Sequence, residues 1–223
     1  MILTVTPNPS LDRTLAVPEL EIGEVLRATA ARTDAGGKGI NVSRALAAHH
    51  VPTEAVFPVG GTDGARLVEL LTEFGVAVAP VPVRGETRSN VTVVDDAGRT
   101  TKLNAPGAAL AADEADALLG TVRDRLAGTG SAVVVGAGSL PGGAGDDFYV
   151  RLGAVCAAAG ARLVLDSSGE PFAQAVKAGA ASLVKPNDEE LAELAGRPLP
   201  TVGDVVGAAR DVISAGPWSC RAR

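Results

Sequence analysis

Residues 132–166, AVVVGAGSLPGGAGDDFYVRLGAVCAAAGARLVLD, hold the pattern that decides the fold. An apolar, β-branched run from Ala132 to Ala137 leads through a glycine-rich loop into a segment of helical spacing, Asp146 to Ala159. A second apolar run, Arg162 to Asp166, follows. Continuous apolar runs of this length suit strands buried on both faces, as in parallel sheets covered by helices. Working outward, Ile2 to Thr6, Thr53 to Val59 and Ser182 to Lys185 read as further strands. Asn41 to Ala48, Asp63 to Phe74, Ala111 to Leu126 and Asp188 to Ala195 read as helices between them. Thr201 with Asp204 resembles a capping box with Asp in place of Glu, opening a helix that runs to about Ser214. The expected class is α/β, with a doubly wound, mostly parallel sheet.

Two stretches, about residues 13–32 and 86–104, break this alternation. In the second, Asn90 to Val94 and Thr100 to Leu103 flank the turn Asp95-Asp96-Ala97-Gly98, the arrangement of a hairpin. Together they predict a small antiparallel β lid over a rigid body. No repeat or linker divides the chain, so residues 1–223 read as one domain. After the helix near Ser214 the alternation calls for another β-branched strand. Residues 216–223, GPWSCRAR, supply the only Trp and no Val, Ile or Leu. That tail reads as aberrant, and the final C-terminal strands and helices of the domain are expected to be missing.

With 46% hydrophobic and 3% aromatic residues, the 223-residue chain has an Ala/Val/Leu-rich composition that suits a real core. A net charge of -6 leaves no footprint for nucleic acid or an anionic membrane. No apolar run approaches the ~18 residues that a membrane helix needs. Cys156 and Cys220 have no CxxC spacing and the chain opens on no basic-then-apolar leader, which makes the cytoplasm the expected compartment.

Several strand ends carry chemistry. Gly36-Gly37-Lys38-Gly39-Ile40-Asn41 puts a glycine turn directly before a helix, where free N–H groups and Lys38 can meet an oxyanion; the plain alternative is a flexible helix entry. Asp12, after the first strand, can accept from sugar hydroxyls or form an Asx-turn over Asn8-Pro9-Ser10. Arg88 and Asn90 open one lid strand and Asn104 ends its partner, an Arg suited to phosphate and two amides suited to hydroxyls; for Arg88 alone, an exposed lid charge is the competing reading. Ser139 follows the small residues Gly136-Ala137-Gly138. Asn187 and Glu190 suit hydrated Mg²⁺ beside nucleotide phosphates, or equally an N-cap with its capping-box partner. Gly143-Ala144-Gly145-Asp146 looks like an anion hole with a base, but its place ahead of a helix makes Asp146 an N-cap. His49 and His50 have no partner at ligand spacing and read as a solvated helix end.

The order of these groups is more specific than any one of them: Asn8-Pro9-Ser10-Leu11-Asp12, Gly36 to Asn41, Thr87-Arg88-Ser89-Asn90, Lys102-Leu103-Asn104, Gly138-Ser139-Leu140-Pro141, Asp166-Ser167-Ser168-Gly169-Glu170, and Lys185-Pro186-Asn187 with Glu190. Over residues 1 to 215 the chain resembles the PfkB carbohydrate kinases of the ribokinase superfamily. With Lys38 in the glycine turn it is more similar to the 1-phosphofructokinase and tagatose-6-phosphate kinase branch than to the 6-phosphofructokinases. The resemblance implies a ribokinase-like fold, ATP and Mg²⁺ as cofactors, a phosphorylated ketose as substrate and pairing of lids in a homodimer. It implies that Asp12, Gly37, Lys38 and Asn41 hold the sugar phosphate with Arg88, Asn104 and Ser139 nearby. Lys185, Asn187 and Glu190 are implied to face ATP and magnesium, Glu190 through water. The implied reaction moves the γ-phosphoryl of ATP onto fructose 1-phosphate, giving fructose 1,6-bisphosphate. The family's own Gly-Ala-Gly-Asp anion hole follows the helix that ends near Ser214. The catalytic base is therefore expected beyond the chain end, and the chain is expected to be inactive or impaired. Other substrates of the family, tagatose 6-phosphate or fructose 6-phosphate, and a non-catalytic sugar-phosphate binder are the alternatives. Ala105 stands where the family often has an acidic residue before Pro106-Gly107.

Overall fold

A computed structural model describes residues 1–129 and 132–215. In chain order the first half comprises β1 (Ile2–Val5), β2 (Ser10–Val17), β3 (Ala30–Gly36), α1 (Lys38–Ala48), β4 (Thr53–Val59), α2 (Gly61–Glu73), β5 (Ala77–Pro82), β6 (Arg88–Asp95) and β7 (Thr100–Leu103). The second comprises α3 (Ala112–Leu126), β8 (Val133–Ala137), α4 (Phe148–Ala158), β9 (Arg162–Asp166), α5 (Gly169–Lys177), β10 (Leu183–Val184), α6 (Asp188–Ala195) and α7 (Val202–Ala215).

Six strands form a parallel sheet in the order β10-β9-β8-β1-β4-β5. Alternate residues serve opposite faces. Ala55 and Phe57 of β4 pack with Ile40 of α1 and Leu67 and Leu71 of α2. Val56 turns the other way, into a cluster with Leu3, Val134, Leu163, Leu118, Leu152 and Phe172. Full burial of each such side chain is worth about 1.5–3 kcal/mol, which is why both faces are covered. From β1 the chain steps to β4 and β5 on one side, then crosses to β8, β9 and β10 on the other. The winding direction therefore reverses between β1 and β8, and loops leaving those strands part to form a crevice.

The lid differs from expectation. It is a four-stranded mixed sheet, β3-β2-β6-β7, and not an antiparallel one. Each hairpin is antiparallel inside, but β2 and β6 run parallel from Ser10↔Arg88 to Val17↔Asp95. Both leave the body from the C-terminal side of the central sheet, so the two hairpins point the same way and join along their first strands. The lid strands also begin earlier and end later than residues 13–32: β2 starts at Ser10 and β3 reaches Gly36. Arg13 ties the lid to the body, donating to Ser89 Oγ at 2.9 Å and to Asp63 in the first turn of α2 at 2.9 Å.

Three further differences have local causes. β5, Ala-Val-Ala-Pro-Val-Pro, carries two prolines that hide it from a strand reading; it is an edge strand, where a missing N–H faces no partner. α5 begins Gly169-Glu170-Pro171, and its proline falls among first-turn positions whose N–H has no helical acceptor. The strand expected over Ser182 to Lys185 contracts to Leu183–Val184. Thr201 and Asp204 do form the reciprocal box: the Asp204 carboxylate accepts from the Thr201 N–H, and the Thr201 hydroxyl accepts from the Asp204 N–H, both at 3.2 Å. The aberrant tail expected over 216–223 lies outside the described residues.

Candidate active site at the crevice between β1 and β8

Asp12 lies inside β2, so the Asx-turn reading does not hold. Its Oδ1 accepts from Ser10 Oγ at 2.7 Å and from Asn90 Nδ2 at 3.0 Å. Asn90 is itself held, its Oδ1 accepting from the Ala105 N–H at 3.2 Å. The carboxylate is thus set in one orientation by a residue from each of two lid strands. It rests over Gly36, where any side chain would collide with it. That explains the first glycine of the turn. The second, Gly37, has φ 124° and would bring a Cβ within 2.7 Å of Thr6 Cγ2. At the third, Gly39, a Cβ would lie 2.5 Å from Thr6 Oγ1, so only glycine lets the first turn of α1 pack this closely. These close approaches seat the N-terminus of α1 against the end of β1. Among the described residues no acidic side chain or side-chain cap meets the first-turn N–H groups of α1, which leaves that positive helix end without a side-chain partner. The Asn41 side chain on the next turn is exposed.

Lys38 leaves this turn and donates from Nζ to Asp166 Oδ1 at 2.8 Å. Lys185, following β10, lies 3.2 Å from Asp166 Oδ2. Asp166, at the C-terminal end of β9, thereby links a group expected beside the sugar phosphate to one expected beside the nucleotide. Its role was missed in the sequence, although its position as a carboxylate ending an apolar strand was a usable signal. Around it, the Gly138 N–H donates to the Asp166 carbonyl at 2.9 Å. The Gly138 carbonyl accepts from Tyr149 Oη at 2.7 Å and Ser167 Oγ at 3.0 Å. Burial pushes the Tyr149 phenol well above its ordinary range, so it stays protonated and keeps donating. Ser139, just beyond, is exposed, as is Asn104 at the end of β7.

Arg88 is not the exposed lid charge of the competing reading. Its guanidinium donates to three backbone carbonyls: Asn8 at 3.1 Å, Pro9 at 3.4 Å and Ala105 at 2.8 Å. Burial lowers its pKa from the usual value, and the nearby Asp12 charge opposes that shift. Asn8 adds a bond from Nδ2 to the Pro106 carbonyl at 3.1 Å. Arg88 therefore straps the Asn8-Pro9 bend to the loop after β7.

On the nucleotide side, Asn187 and Glu190 form the reciprocal capping box of α6. Glu190 Oε2 accepts from the Asn187 N–H at 2.9 Å, and Asn187 Oδ1 accepts from the Glu190 N–H at 2.7 Å. The structural alternative is thus realised for this pair. Glu190 also lines a small hollow between α5 and α6 with Glu170 and Glu193. Among the described residues no group of three or more His, Cys, Asp or Glu is placed to hold a metal ion. Asp146 is not the N-cap of α4; Asp147 occupies that position, without a side-chain capping bond.

The glycine turn, the strand-end carboxylates and the lid thus converge on the crevice where winding reverses. The pfkB family carbohydrate kinase pattern matches residues 8–219, nearly the whole chain. The chain belongs to the pfkB family of carbohydrate kinases. Its membership makes it, by descent, a phosphotransferase with the ribokinase-like fold. Among its relatives, the ATP-dependent 6-phosphofructokinase isozyme 2 of Escherichia coli K12 is 38% identical over 216 residues, 96% of this chain and 69% of that protein. The 1-phosphofructokinase of Xanthomonas campestris pv. campestris is 38% identical over 221 residues, 96% of this chain and 68% of that protein. The tetrameric inhibited form of phosphofructokinase-2 from Escherichia coli superposes with a TM-score of 0.90 at 38% identity, over 96% of this chain and 70% of that one. No helix among the described residues is long and apolar enough to cross a membrane.

Proposed function

We propose that this pfkB-family chain binds a phosphorylated ketose, foremost fructose 1-phosphate, in a crevice built for γ-phosphoryl transfer from ATP to give fructose 1,6-bisphosphate. The observation that carries the reading is the pairing of a rigidly oriented Asp12 with the open N-terminus of α1 and Lys38 on either side of one glycine turn. A carboxylate accepts from sugar hydroxyls, whereas a helix N-terminus with an ammonium suits a phosphate. In this reading Asp12, Gly37, Lys38 and Asn41 hold the substrate. Arg88, Asn104 and Ser139 close on it from the lid and from β8, Arg88 also strapping the loops beside it. Lys185, Asn187 and Glu190 face the nucleotide. Mg²⁺ favours one or two carboxylates plus phosphates and water, a demand that Glu190 with bound ATP meets. When bound, the ion neutralises charge on the transferring phosphoryl group.

Transfer forms a bond from the ketose hydroxyl oxygen to the γ-phosphorus and breaks that to the bridging oxygen, while the hydroxyl proton passes to a base. No described residue is assigned as that base, so the 223-residue chain is proposed to bind substrate with little or no turnover in the cytoplasm. Dimerisation through the lid belongs to the same reading, supported by the exposure of Leu103 on β7 and of Ile22 and Val25 in the hairpin connection.

The test is a coupled assay and a binding panel on the purified chain with fructose 1-phosphate, fructose 6-phosphate and tagatose 6-phosphate. The reading expects fructose 1-phosphate to bind best and product to be absent or barely measurable. The name of the Escherichia coli relative favours fructose 6-phosphate as the second reading, and preference for that sugar would select it. Ready turnover would contradict the proposal about the base.

A further inference from the structure

Lys38 and Lys185 come from opposite sides of the crevice, one from the first residue of α1 and the other from the loop after β10. Their ammonium groups nevertheless meet the two oxygens of one carboxylate, Asp166 Oδ1 at 2.8 Å and Oδ2 at 3.2 Å. Lysine has a flexible stem, and in the absence of an anchor an exposed ammonium samples many rotamers. Here the anchor is fixed: Asp166 ends a central strand, and its backbone carbonyl is bonded to the Gly138 N–H. The carboxylate is 21% exposed, whereas the two lysines are 49% and 65% exposed, so the anchor lies deeper than the groups that it holds. Lys38 spends one of its three ammonium donors on Asp166 and Lys185 pairs with the other oxygen by charge, so both keep donors for a ligand.

Resting on the kinase reading, we infer that Asp166 is a positioning residue that presents Lys38 and Lys185 as one cationic pair to a single polyphosphate or transferring phosphoryl group. Lys38 then serves the boundary between sugar and nucleotide and not the sugar's own phosphate alone. The sign of one substitution separates this from simple charge balance. If Asp166 only cancels charge, removing it makes the crevice more positive and anions bind more tightly. If it positions, removing it lets both lysines drift and anions bind more weakly.

The experiment is calorimetric titration of pyrophosphate into the full 223-residue chain, its D166N, K38A and K185A variants and the D166N/K38A double variant, with thermal midpoints measured in parallel. The inference expects roughly five- to tenfold weaker binding in each single variant and a double variant no worse than the poorer single one, because the two changes remove one arrangement. Tighter binding in D166N, additive losses, or no pyrophosphate binding by the unaltered chain would overturn it. A D166N loss that merely follows a fallen thermal midpoint, with D166E failing to restore any binding, would also count against it. Fructose 1-phosphate titrated into the same variants and into D12N keeps the two ideas apart. Failure of the substrate reading shows as absent sugar-phosphate binding or indifference to D12N, whatever pyrophosphate does.

Discussion

Asp12 and Gly36 make the sharpest demand at the residue scale, since a carboxylate lies where a Cβ of residue 36 would be. Gly36→Ala should displace Asp12 and weaken fructose 1-phosphate binding at least tenfold while leaving the fold intact, which calorimetry with circular dichroism would check. Gly37→Ala should act on stability instead. A residue with a side chain at φ 124° facing Thr6 Cγ2 carries a backbone cost of about 1–3 kcal/mol, to be read from denaturant midpoints. Such roles were only partly legible. The glycine turn and Asp12 stand out because residue type and position agree. That Asn90 orients Asp12, or that Arg88 donates to the carbonyls of Asn8 and Pro9, depends on partners about eighty residues apart that no local pattern reveals. Asn187 and Glu190 show the reverse: one spacing serves a capping box and a cation site alike, and the structure displays the box.

At the scale of elements, hydrophobic runs located five of the six strands of the central sheet, β10 only as a longer run than the two residues that form it, and periodicity located most helices. Pattern reading failed where chemistry other than hydrophobicity sets the element: prolines on an edge strand, a Gly-Glu-Pro helix start, and polar lid strands whose exposed Thr and Arg residues break alternation. The parallel seam between β2 and β6 is a long-range pairing and was not legible locally. Glu114 offers an element-scale test. Its carboxylate accepts from the Arg84 N–H at 2.7 Å and the Ala111 N–H at 2.8 Å, joining the start of α3 to the end of β5. Those two backbone bonds, with the Arg84 charge adding to them, hold its pKa below the ordinary 4.5. A depressed carboxylate pKa contributes stability that is present above the unfolded value and lost as pH falls through the folded one. Glu114→Gln should therefore lower the denaturation midpoint at pH 7 and flatten its fall below about pH 4.5, in urea titrations from pH 3 to 7. An unchanged acid slope would assign the acid loss to other groups, Asp95 beside Arg99 among them.

At the scale of the whole molecule, the parallel body is rigid through two apolar clusters, and the mixed lid rises from it on two hairpins tied back by Arg13. The lid face around Leu103 is 61% exposed at that residue. Leu103→Asp is expected to shift the chain from dimer to monomer in sedimentation velocity without lowering its thermal midpoint; a chain already monomeric would remove the lid-pairing proposal. Calorimetric titration of fructose 1-phosphate into the 223-residue chain and its D12N variant shows what the crevice between β1 and β8 receives. Saturable micromolar binding that falls at least tenfold in D12N is the predicted result, and no binding, or binding that D12N leaves untouched, would contradict it.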